Sequence, residues 1–308
     1  MQGRPSGKIA AIDPKLRRTR PRRRHLPSMH SFPTALTFLA GLLLASVACA
    51  QDGNSRAAES DACIAPSPDC VVVGQLNVSI SLGIGGRTNP VATNSDIPLV
   101  AIPRISWYGK RFFLENLDLG FTLYEDSTHT FNLVATPGYD RVFFHRNDLQ
   151  NVFVGIDGGF APVVSLRVPL RERHTTYLVG PEWAFTRGKL SGQLDALYEV
   201  TGEHDGFEVR AAISAPLSEG RGALVASAGL TWKSAELVDY YYGVEGFYVA
   251  DAALNPFVKL AYTRPLSERW TFNAFAHYEY LGDSVADSPI IDDASVATAF
   301  VGFVARIF

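Results

Sequence analysis

The chain has 308 residues, 47% of them hydrophobic and 19% charged, the balance of an ordered protein rather than a disordered or fibrous one. Its formal charge of −3 hides an asymmetry: residues 1–50 hold nine basic side chains and one acidic one, so the remainder carries 19 basic against 30 acidic residues, near −11. Such a chain is not expected to bind nucleic acid or an anionic lipid surface.

The leader comes first. An Arg-rich stretch, RRTRPRRRH, precedes the apolar segment PTALTFLAGLLLASVACA, which ends in small residues. This predicts a leader and secretory signal peptide over residues 1–50, cleaved after Ala48-Cys49-Ala50. Lipidation of Cys49 is the rival reading, disfavoured by Ser46, and Met29 offers a second start. Residues 51–70 read as a short periplasmic segment in which Cys63 and Cys70 are disulfide candidates.

From residue 71 to 308 the chain reads as one all-β barrel domain. No apolar run after the signal is long enough for a transmembrane helix, and period-two alternation recurs instead. Strands are predicted near 72–86, 98–108, 112–124 and 129–137, one more within 139–174 at FAPVVSLRV, and seven near 175–185, 189–200, 206–216, 223–234, 256–265, 270–281 and 295–307. In WTFNAFAHYEYL, Trp270, Phe272, Ala274, Ala276, Tyr278 and Tyr280 share one face, while Thr271, Asn273, Phe275, His277 and Glu279 share the other.

A soluble sandwich and a barrel in lipid would both bury one face of such strands. The opposite face here carries Asp195, Glu199, Glu208, Arg210, Lys259, His277 and Glu279, and aromatic residues gather at strand ends. That pattern suits a lumen and two interfacial girdles. The expectation is a closed antiparallel transmembrane β-barrel of twelve strands (ten as the alternative) with both termini periplasmic. Residues 235–255 and 282–294 would be long external loops, and 138–152 would face the periplasm.

The five histidines after the leader, His129, His145, His174, His204 and His277, show no motif for a hydrolytic site, and no His/Cys/carboxylate cluster has metal-ligand spacing. ISLGIGGRT lacks the Lys-Ser/Thr ending of a phosphate loop, so its glycines are expected to serve a strand end. No catalysis, cofactor or metal is expected.

Three segments carry a resemblance: DIPLVAIPRISWYGKRFFLENLDLGFTL, DYYYGV at 239–244, and NPFVKLAYTRPLSERWTFNAFAHYEYLGDSVADSPI onward to the C-terminus. Together they resemble the MipA/OmpV family of outer-membrane proteins. The resemblance implies a Gram-negative outer membrane as location and outer-membrane lipid as surroundings. It further implies a scaffold joining a lytic murein transglycosylase to a bifunctional penicillin-binding protein, or a surface adhesin; the barrel itself leaves a diffusion channel as the alternative and an outer-membrane hydrolase last. Its motif residues here are Tyr240, Tyr241, Tyr242, Gly243 and Val244, then Asp287, Ser288, Pro289 and Ile290, both sets in external loops. A Tyr cluster there would bind a surface ligand or extend the interfacial girdle, the second being favoured. The terminal Phe308 is the expected barrel-assembly signal, although Arg306 stands where the family more often has Tyr.

Overall fold

The computed structural model describes residues 73–92, 94–144 and 172–307. The leader, Cys49, Cys63, Cys70, His145, FAPVVSLRV and Phe308 lie outside the described residues. Twelve antiparallel strands close into a barrel: β1 (Leu76–Arg87), β2 (Ile97–Tyr108), β3 (Phe112–Glu115), β4 (Asp118–Glu125), β5 (His129–Pro137), β6 (Tyr177–Arg187), β7 (Leu190–Glu199), β8 (Phe207–Ser218), β9 (Ala223–Lys233), β10 (Ala253–Pro265), β11 (Trp270–Tyr280) and β12 (Ser295–Arg306). Each pairs with its neighbours in sequence, and β12 returns to β1.

The barrel is turned inside out relative to a soluble protein. Ile84, Val258 and Val301 are 80%, 57% and 47% exposed, whereas Asp195 and Glu208 are each 4% exposed. Apolar side chains in that number are stable on the outside only against hydrocarbon, and the closed ladder satisfies the backbone there without water. The aromatic face of β11 therefore looks onto lipid.

Glycines make the closing seam possible. Gly83 of β1 lies opposite Gly302 of β12. A Cβ on Gly83 would stand 2.2 Å from the Val301 carbonyl oxygen and 2.7 Å from the Phe300 ring. The glycines of ISLGIGGRT thus admit close contact across the seam, with Phe300 buried inside.

The strand number matches the expectation, but its membership does not. The strand expected over 112–124 is two strands, reversing at Asn116, whose φ is +56°. Asparagine tolerates this left-handed conformation, and its side chain completes the turn: Asn116 Oδ1 accepts from the Ile105 N–H, and the Asn116 N–H donates to the Ile105 carbonyl. This extra hairpin supplies the even count that FAPVVSLRV was expected to supply.

The hairpin also reverses β5. Residues 126–128 become a tight turn in which Asp126 Oδ1 accepts from the Thr128 and His129 N–H groups at 2.7 and 2.8 Å. Gly138–Phe144 then lies at the end of the barrel that carries the long β9–β10 and β11–β12 connections, here called the loop end. The expected periplasm-facing position of 138–152, opposite those connections, is overturned for these described residues.

Candidate functional site

The loop end folds into a cap. Its centre is helix α1 (Ala235–Tyr242), whose Leu237, Val238, Tyr241 and Tyr242 fall on one side at helical spacing and are buried, as is Tyr240. Around it pack a short 3-10 helix, Tyr139–Phe143, and the short helix α2 (Asp283–Ala286).

The expected motif residues meet here. Ser288 donates its hydroxyl to the Tyr242 carbonyl, and Ile290 is buried beside Val91 and Ile291. Asn89 and Asn94 both donate side-chain N–H groups to the Phe143 carbonyl, at 3.0 and 2.8 Å, which ties the β1–β2 connection to the 3-10 helix. Arg173 Nε donates to the Tyr241 carbonyl at 2.7 Å, and its guanidinium lies 4.1 Å from the Phe144 ring centroid.

The tyrosines are neither a surface ligand site nor a lipid girdle, since Tyr240, Tyr241 and Tyr242 are 3%, 0% and 1% exposed. Their hydroxyls are spent internally. Tyr242 donates to Asp140 Oδ1 at 2.6 Å, Tyr241 shares a hydrogen bond with Thr176, and Tyr240 bonds Glu203 while receiving the His174 N–H.

A buried ion pair fastens the cap to the wall. Lys233, the last residue of β9, reaches Asp140 in the 3-10 helix. Burial by itself would raise the Asp140 carboxyl, but the charge and hydrogen bonds of Lys233, with the Tyr242 hydroxyl, hold it below the ordinary carboxylate range. Tyr242 is pushed well above the usual phenol range, first by burial and then by the Asp140 charge.

Beneath the cap the lumen is divided by charge. A cavity of about 630 Å³ on the β3–β8 side is lined by Glu115, Asp118, Glu182 and Asp195 with Arg210, and it reaches the strand turns at Tyr108–Phe112. Asn132 and Gln193 donate to the two carboxylate oxygens of Glu182, at 2.7 and 2.9 Å, and Arg210 pairs with Glu208. A second cavity of about 420 Å³, on β1, β2 and β10–β12, is lined by Arg87, Arg104, Lys259 and His277.

The described histidines do not converge. His129 faces outward and accepts from the Trp183 indole N–H; His174 lies at the cap; His204 is buried against Tyr240 and Tyr241; His277 faces the lumen. Among the described residues no three His, Cys, Asp or Glu side chains form a metal site. Sequence reasoning missed Asp140 and Lys233, which are 93 residues apart and carry no local signal.

The comparisons agree with an outer-membrane barrel. The MltA-interacting protein of Escherichia coli K12 is 24% identical over 225 residues, covering 70% of this chain and 84% of that protein. Another Escherichia coli K12 protein, YiaT, named as an outer membrane protein, is 24% identical over 201 residues, 62% of this chain and 76% of its own length. Outer membrane protein OmpV of Vibrio cholerae serotype O1 is 27% identical over 108 residues, 32% of this chain and 41% of that protein. The location is therefore the Gram-negative outer membrane. The family model described as MltA-interacting protein MipA matches residues 81–307, from within β1 to the residue after β12, and on that match the chain belongs to the MipA family.

Proposed function

We propose that this chain is a non-catalytic structural protein of the outer membrane that holds murein-active enzymes at the envelope. The partners would be a lytic murein transglycosylase of the MltA kind and a bifunctional penicillin-binding protein. The observation that carries this reading is the cap: a barrel whose loop end is filled by buried residues from four connections, fastened by the Asp140–Lys233 pair, is built as a fixed body rather than a free passage. A relative's name, MltA-interacting protein, supports the choice of partner.

In this proposal both chain termini and the short strand turns face the periplasm. Docking then falls to the turns, among them residues 109–111, 188–189, 219–222 and 266–269, and no longer to 138–144. Cys63 and Cys70 would close a local disulfide, and Phe308 would serve the assembly machinery. A diffusion channel is the second reading, favoured by the inward, water-accessible Arg104 and Lys259.

Cross-linking in living cells tests the scaffold. A tagged chain purified from outer membranes should carry murein transglycosylases or synthases above an unrelated-barrel control, and charge reversals in the turns at 219–222 and 266–269 should lower that recovery. Recovery no better than the control would contradict the proposal.

A further inference from the structure

The basic cavity under the cap carries an inference independent of the scaffold. Arg87 of β1, Arg104 of β2, Lys259 of β10 and His277 of β11 come from four strands to line one space. Among the described residues none of the three permanent cations has a carboxylate in ion-pair contact. Arg87 lies over the Phe143 ring at 4.9 Å, and its buried Nε–H has no acceptor among the described residues; Lys259 lies 5.7 Å from the Phe275 ring centroid.

Like charges gathered in a confined space repel one another, and low-dielectric walls strengthen the effect. Glu115, Asp118, Glu182 and Asp195 line the separate cavity on β3–β8, while Glu279 and Asp140 attract Arg87 without forming an ion pair with it, so the repulsion is only partly relieved. Strand pairing turns Arg104 and Lys259 inward, yet both are exposed, so their charged ends stand in the lumen and can be reached from it.

The same cavity has an apolar wall. Phe275 and Phe300 stack with ring centroids 5.8 Å apart, and Ile102 packs with them. Its volume of about 420 Å³ falls within the range of small-molecule sites.

We infer that this cavity binds a small organic anion, with a carboxylate or phosphate held by Arg87, Arg104 and Lys259 and an apolar or aromatic body against Phe275 and Phe300. Arginine forks and an ammonium group meet such oxygens through charge-assisted hydrogen bonds. The orphaned Arg87 Nε–H gains an acceptor in the same event.

Calorimetric titration of the folded full chain in detergent micelles tests this, with phenyl phosphate, benzoate, inorganic phosphate and benzylammonium as probes. The two aromatic anions should bind, more weakly as salt rises. Arg104→Gln and Lys259→Gln should each weaken them about tenfold, the loss of one charge-assisted contact, while the outward-facing Val258→Ala leaves binding unchanged. The salt response of the wild type keeps the test decisive if a glutamine variant fails to assemble. Four results would overturn the inference: no binding of either aromatic anion, equal binding of benzylammonium, inorganic phosphate binding as tightly as phenyl phosphate, or affinity indifferent to salt.

Discussion

Lys233 donates to both carboxylate oxygens of Asp140, at 2.7 and 2.8 Å, joining the last residue of β9 to a helix 93 positions earlier in the chain. Removing one partner leaves the other charge buried and unmatched, which costs about 3–5 kcal/mol. Asp140→Asn and Lys233→Met should therefore each expose the cap to protease while the strands remain protected, and the double variant should recover part of the loss. Limited proteolysis in micelles with mass mapping reads both effects.

The cap should loosen in acid. His204, in the β7–β8 connection, is held below the ordinary histidine range, chiefly by burial. A depressed histidine takes up its proton more readily when unfolded, so its contribution is present above the unfolded value and is lost as pH falls below it. Asp140 is depressed too, and its contribution is lost only lower, as pH falls through the carboxylate range. Hydrogen exchange of the cap should rise in two acid steps, and His204→Gln should remove the first alone.

Alkaline titration probes the same packing. Tyr139 is pushed up to about 12 by burial and then by the Asp118 charge, and Tyr241 and Tyr242 are raised further by burial. Phenolate absorbance should show these three ionising only in strong alkali. In Asp140→Asn the Tyr242 step should move to lower pH.

Glu199 holds the β7–β8 connection by a different device. Its carboxylate accepts from the backbone N–H groups of Thr201, Gly202, Glu203, His204 and Asp205. Glu199→Ala leaves those donors without their acceptor in a connection partly open to water and should cost about 1–2 kcal/mol, read as a lowered midpoint of urea unfolding from micelles.

At the seam, Gly83→Val should block closure, because even a Cβ there would overlap the Val301 carbonyl. The expected result is loss of the compact, heat-sensitive band on electrophoresis. Ile84→Val, one residue away and facing lipid, should keep it.

Most strands were legible because lipid on one side and a polar lumen on the other impose a strict period of two. The reversal at Asn116 was missed although a signal exists: the outward apolar positions are even at Phe112 and Leu114 and odd at Leu119 and Phe121, a change of phase that no single flat strand allows. DYYYGV reads from sequence as a loop, and its helix is hidden because aromatic residues near a membrane fit a girdle as readily as a buried face. The Asp140–Lys233 pair and the meeting of Arg87, Arg104, Lys259 and His277 depend on contacts across the barrel, which no local pattern encodes.

The sealed loop end is the central claim, and electrical recording from the purified full chain in a planar bilayer tests it most directly. The account predicts no steady open-channel steps from the wild type. A stable, ohmic conductance from correctly folded protein would contradict it and make the barrel a pore.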